Sequence, residues 1–148
     1  MVQRVVFNHN GVTAVLVPVM RSGLTLEQII AKDVPTGATD IAVVDHTDLP
    51  ASRGFRDAWV NVAGTVSVNR ARAEGIFWDR VRVERAPRLA QLDVEVIRAL
   101  EEGRPTAPLV AQKQKLRDVT TKDLSSLSLD QLENARLDSV LNLPTRST

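Results

Sequence analysis

Apolar residues recur with two different periods along this chain, and the period changes at Asn69. Before Asn69, short β-branched runs alternate with turn residues. Val5-Val6-Phe7 and Val12 to Val17 flank Asn8-His9-Asn10-Gly11. Asn-Gly accepts positive φ at both turn positions, so this stretch predicts a hairpin. Thr25 and Gln28 have the spacing of a capping box, with Leu24 and Ile29 placed to staple across it. The helix they open should end near Asp33, because Pro35 biases Val34 away from the helical region. Ile41 to Val44 predicts a short buried strand, closed by Asp48-Leu49-Pro50. Ala58 to Val62 and Thr65 to Val68 predict a second hairpin around Ala63-Gly64. Trp59, with Phe55 four residues earlier, is the expected aromatic anchor of this small core.

From Asn69 onward the spacing is near 3.6. Asn69 suits the N-cap of a helix starting at Arg70. Ile76, Phe77, Val81, Leu89, Leu92, Val96 and Leu100 follow at helical intervals. Pro87 falls inside this run, where a lost hydrogen bond and a ring clash predict a kink or a break. Gly103 and Pro105 should end the segment, and Thr106 can cap a shorter helix over 107–118. Ser128 and Gln131 form a second capping box, opening one helix with Leu129, Leu132, Ala135, Arg136 and Val140 on one face. The expected class is α+β. An α+β domain of two hairpins, a strand and a helix spans 1–68, a helical interaction region 69–142, and a flexible tail 143–148.

Charge follows the same division. Residues 1–69 carry five basic and six acidic groups, residues 70–117 eleven and seven, and residues 118–148 three and five. The positive excess sits in the middle, although the whole chain is close to neutral at +1. The chain has no cysteine, which excludes disulfides, thiolate metal sites and a thiol nucleophile. With only His9 and His46, a multi-histidine metal centre would need a second protomer. No apolar run approaches a membrane span of roughly 20 residues. The opening Met-Val-Gln-Arg-Val-Val-Phe lacks signal-peptide features, so a non-secreted protein is expected.

Two clusters could carry chemistry. Asp45-His46-Thr47-Asp48 sets a histidine among carboxylates, a pattern open to general-base or metal chemistry and equally natural in a turn. Changing His46 would abolish activity in a small metal-dependent enzyme. His9 sits at a hairpin tip, where a turn role suffices. Arg80, Arg82, Arg85 and Arg88 could meet nucleic-acid phosphates, but Asp79 and Glu84 interleave with them and no aromatic platform accompanies them. Glycine-rich phosphate loops, nucleophile elbows and His-Glu-x-x-His are absent from the sequence. No catalytic residue, metal or cofactor is therefore expected, and a nucleic-acid regulator is the distant alternative.

The sequence also carries a resemblance. Its elements are Ala31-Lys32-Asp33-Val34-Pro35, Val43-Val44-Asp45, Asp48-Leu49-Pro50, Phe55-Arg56-Asp57-Ala58-Trp59, Asp79-Arg80-Val81-Arg82, Arg85-Ala86-Pro87, Leu92-Asp93-Val94 and Arg98-Ala99-Leu100-Glu101. Together they resemble a family of small tailed-bacteriophage and prophage proteins encoded among tail and tail-fibre genes. Lys113-Gln114-Lys115-Leu116-Arg117-Asp118-Val119-Thr120 is similar to the helical segment of phage tail-assembly-chaperone-like proteins. The likeness covers about residues 1–120. Ile76-Phe77-Trp78 and the tail from Thr121 depart from it. It implies a non-enzymatic minor virion component in the tail region, or a transient chaperone in the host cytoplasm. The implied partners are tail or tail-fibre proteins, with a homo-oligomer in the assembled state and no membrane or nucleic acid.

Ile76-Phe77-Trp78 places large side chains on several directions around one helix. Either they fill the space between the β domain and the next helix, or some face a partner. Phe77, Trp78, Val81 and Arg85 are the expected partner-binding residues, with Trp78 as the leading hot spot.

Overall fold

The computed structural model describes residues 1–20 and 23–148 and is α+β. Two compact units divide it, Met1–Ala73 and Glu74–Thr148, so the boundary falls one turn beyond the change of period.

In the first unit, β1 (Gln3–His9) lies at the centre of a three-stranded antiparallel sheet in the order β2-β1-β3. Its neighbours are β2 (Val12–Leu16) and β3 (Thr39–Asp45). The register is Val6 opposite Val15 on one side and Ala42 on the other. A central strand is covered on both faces, which is why Val5, Val6 and Phe7 are all buried in succession. Asn10 and Gly11 take the positive φ values of 51° and 75° that the hairpin requires. Helix α1 (Leu26–Asp33) carries the full Thr25–Gln28 capping box and ends with Val34 extended.

β3 differs from expectation. It is an edge strand, not a buried one: Ile41 and Val43 are exposed and only Ala42 and Val44 turn inward. Its register with β1 shifts between Val6 and Asn8, where Asp40 takes a φ of 51°. This irregularity has a purpose in the packing. Asp40 accepts hydrogen bonds from the Asn8 side chain at 3.0 Å and from the Ala63 amide at 3.3 Å. Asn61 is buried, donates to the Asp40 carbonyl at 2.9 Å and accepts from the Gly64 amide at 2.9 Å. The bulge thus binds the first sheet to the hairpin of β4 (Trp59–Val62) and β5 (Thr65–Val68). Between the two sheets lies a core of Val6, Leu49, Trp59 and Val66, flanked by Val15, Ala42, Val44 and Val68. Trp59 and Phe55 are 2% and 3% exposed. The Trp59 indole N–H finds no acceptor, while the Arg53 guanidinium lies 5.4 Å from its ring centroid.

The long helix α2 (Arg70–Glu101) runs unbroken through Pro87. Asn69 caps it, accepting from the Arg72 amide at 3.0 Å. Of the kink or break expected at Pro87, the break does not occur: the proline lies on the solvent side, as does Val83, the residue four before it. Solvent replaces the lost donor there, and long helices already lengthen their bonds on the outer side. A left-handed Gly103 closes α2, with the Arg104 amide reaching back to the Ala99 carbonyl at 2.7 Å.

Helix α3 (Ala107–Arg117) follows, although Thr106 is itself helical in backbone and its side chain caps nothing. The single C-terminal helix expected from Ser128 is two short ones, α4 (Leu129–Asn134) and α5 (Leu137–Val140). The Ser128–Gln131 capping box is present, but the chain becomes extended at Ala135 and Arg136. In place of a loose tail, Thr145 pairs with Lys122 as an antiparallel bridge, and the Arg146 amide donates to the Thr121 carbonyl at 2.9 Å.

Gly64 offers a direct check on this packing. Its φ is +92°, and a Cβ there would lie 2.8 Å from the Ala42 Cβ. Gly11 shares a positive φ of +75° but has open space. Gly64→Ala should lower unfolding free energy by more than the ~1–2 kcal/mol of backbone strain that Gly11→Ala incurs. Urea unfolding of the two variants side by side measures the difference; equal losses would contradict the close approach of the turn to β3.

Candidate functional site

Each polar cluster singled out above is engaged in holding the fold. Asp45-His46-Thr47-Asp48 forms one 3-10 turn. Asp45 Oδ1 accepts from the Thr47 amide at 3.0 Å and the Thr47 hydroxyl at 2.7 Å, and Oδ2 accepts from the Val2 amide at 2.8 Å. Asp48 completes a reciprocal cap by accepting from the Asp45 amide at 3.1 Å. These donors, the Thr47 amide foremost, hold the Asp45 carboxyl down at about 2. His46 lies 3.1 Å from Asp45 on an exposed rim. Among the described residues no three His, Asp or Glu side chains gather as a metal-ligand group.

Arg82, Arg85 and Arg88 of α2 are occupied as well. Arg82 pairs with Asp79 at 2.6 Å. Arg85 donates to the carbonyls of Arg117 at 3.1 Å and Leu116 at 3.5 Å, closing the C-terminal end of α3. Arg88 grips Asp138 with two bonds of 2.5 and 2.8 Å, and this contact holds the Asp138 carboxyl below its ordinary range. Glu84 accepts from the Leu137 amide at 2.8 Å, adding to the start of α5 an acceptor beside the Ser139 hydroxyl, which accepts from the Arg136 amide at 2.6 Å. Lys113 pairs with Asp93 across α3 and α2.

The expected partner residues are used inside the chain. Phe77, Trp78 and Val81 are 1%, 7% and 2% exposed, with the two rings tilted 56° at 5.2 Å. Arg85 is half-buried over the end of α3. Phe77, Trp78 and Val81 are thus enclosed within the chain, whereas Arg85 keeps part of its surface. The helical projection correctly marked several apolar directions, but not which of them packing would fill.

What lies on the outside of α2 is a different set. Val83, Val94, Ile97 and Leu100 are exposed, and Val110 is exposed on α3. Val83, Pro87, Ala90, Val94 and Ile97 recur at alternate steps of four and three, the spacing of a helix-pairing seam. That signal was present in the sequence, overshadowed by the aromatics. Behind it, α2, α3 and the residue Leu141 enclose an open groove of about 370 Å³ with Leu92, Leu116 and Leu141 as its apolar lining. Its two cations are committed, Arg88 to Asp138 and Lys115 to Asn142 at 3.2 Å.

Two measurements test these assignments. Glu84→Ala leaves the Leu137 amide uncapped, so it should cost about 0.5–2 kcal/mol, the range of a lost N-cap. Urea unfolding reads the loss; an unchanged midpoint would remove Glu84 from the fold. Asp45 has a depressed carboxyl in the folded state, so its contribution is present above the ordinary carboxylate range. It is lost as pH falls from about 4 towards about 2. The stability advantage of the wild type over Asp45→Ala should therefore shrink across that window in pH-dependent urea titrations. An advantage constant with pH would show that the carboxylate charge contributes nothing.

Among the described residues no helix is long and apolar enough to cross a membrane. Comparison with protein-family models, with curated proteins and with solved structures yields no match to this chain, and the phage resemblance remains a likeness of sequence elements.

Proposed function

We propose that this chain is a non-catalytic bacteriophage tail protein that docks on other tail or tail-fibre proteins through its helical unit and stays in the virion. The observation that carries this reading is the aliphatic stripe left on the outer side of α2, at Val83, Val94 and Ile97. Contiguous exposed apolar surface marks an interaction site in a protein whose own core is already filled. The likeness to tail-encoded phage proteins over about residues 1–120 supplies the biological setting. The polar clusters support it indirectly, since their hydrogen-bonding capacity is spent on caps and helix ends.

Protein analysis of purified virions tests the setting, and a double variant tests the surface. The chain should copurify with tails, and Val94→Lys combined with Ile97→Lys should abolish its incorporation while leaving the melting temperature unchanged. Absence from virions, with assembly still dependent on the protein, would turn the reading to a transient chaperone. Normal incorporation of the double variant would remove α2 as the docking surface.

A further inference from the structure

We propose that the outer edge of β3 binds an extended, basic-flanked segment of another protein as an added strand. The inference is separate from the α2 surface and stands on the first unit alone. β3 is the end strand of its sheet, so one row of its main-chain groups has no strand beside it. The His46 amide donates to the Val2 carbonyl at 2.9 Å, which makes Val2 and His46 a hydrogen-bonded pair in the register of β1 with β3. Antiparallel pairs alternate, so Arg4 with Val44 and Val6 with Ala42 are bonded pairs too. Val43 between them turns its amide and its carbonyl away from β1. The Ile41 carbonyl also points outward, because it shares a peptide with the inward Ala42 amide. The next outward amide, that of Asp45, is taken by Asp48 at 3.1 Å. One donor and two acceptors therefore lie open at the centre of the edge.

Those groups select the occupant. A helix spends its main chain internally, whereas an extended chain returns two donors and one acceptor at strand spacing. Along the same edge runs a groove of about 450 Å³, lined by Ala42, Val44, Gly64 and Asp48 among others. Side chains of an added strand alternate, so one set enters this groove and the other lies beside the exposed Ile41 and Val43. Charge sets the flanks. The Asp48 carboxylate borders the groove at one end, and Asp40 binds the amide of Ala63, another lining residue. Neither acid has an ion-pair partner among the described residues. Asp40 and Asp45, to which Asp48 is bound, are five strand steps apart, ~17 Å, so a segment of that length carries Lys or Arg at both ends. A second copy of β3 fits poorly. A two-fold pair of strands is antiparallel and would bring Asp40 of each copy towards Asp45 and Asp48 of the other.

Amide exchange of the full chain, followed by NMR, tests the edge before any ligand is added. Ala42 and Val44 should be protected about tenfold or more over Val43. The binding probe is the acetylated, amidated peptide Lys-Thr-Val-Thr-Val-Thr-Lys. It should shift the amides of residues 41–44 and 63–65, with a dissociation constant on the order of 0.1–1 mM for three hydrogen bonds. Replacing both lysines by glutamate should weaken binding about fivefold or more at low salt. N-methylation of the central Val-Thr-Val amides should abolish it. Asp48→Asn keeps an acceptor for the Asp45 amide and should narrow the preference for lysine. Val43→Pro removes the one open donor and should abolish the shifts with melting unchanged, since an outward amide tolerates proline. Should that variant unfold, the N-methylated peptide decides. Protection of Val43 equal to that of its neighbours, no shift at about 5 mM peptide, or undiminished binding after N-methylation would overturn the inference. Protection of Val43 that rises with protein concentration would give the edge to a second copy and overturn it too.

Discussion

Short helices cannot satisfy their own ends, and the helical unit is organised around that constraint. Every α-helix leaves about four amides and four carbonyls without internal partners, so helices of four, six and eleven residues are mostly ends. The long helix α2 supplies what they lack. Glu84 caps α5, Arg85 closes α3, Arg88 holds Asp138 in the first turn of α5, and Asp93 anchors Lys113. These four side chains occur within ten residues of one helix. The basic excess of residues 70–117 is thereby explained in part without any external anion. An arginine that donates to two carbonyls of its own chain has less to offer a phosphate.

The same constraint divides the surface of α2 in two. The side bearing Glu84, Arg85, Arg88 and Leu92 faces the other helices of its unit, and the opposite side is left with Val83, Ala90, Val94 and Ile97. Pro87 belongs to the second side, and its position there matters. A proline on the packed side would have freed a carbonyl away from water, at the cost of an unsatisfied buried group. On the solvent side it bends nothing that packing needs.

What the sequence made legible is what depends on neighbours along the chain. Both hairpin turns, the Thr25 and Ser128 capping boxes and the Asn69 cap are short-range chemistry, and all are found in the structure. What it concealed depends on contacts between distant residues. The acceptor for the Leu137 amide comes from 53 residues away, and nothing at Arg136-Leu137 announces it. The Asp40 bulge is invisible because aspartate at positive φ is defined by Asn8, Asn61 and Ala63, none of them adjacent. The burial of Trp78 is hidden in the sequence for a related reason. A helical wheel ranks directions by apolar content, whereas burial follows from where other helices happen to lie.

That lesson bears on how an interaction surface should be sought in a chain of this kind. Large aromatics are the residues that dominate interface energies, but they are also the residues a small domain can least spare from its core. In a chain with 3% aromatic residues, Phe55, Trp59, Phe77 and Trp78 are all consumed by folding. Any surface left for a partner must then be built from aliphatic side chains, where energy comes from area and from register more than from one anchoring ring. Register is what the outer side of α2 supplies, through the regular spacing of Val83, Ala90, Val94 and Ile97. A surface of that construction is sensitive to a single inserted charge at Val94 or Ile97 and insensitive to the loss of any one methyl group. It is the opposite of the hot-spot interface that the Phe77-Trp78 pair first suggested.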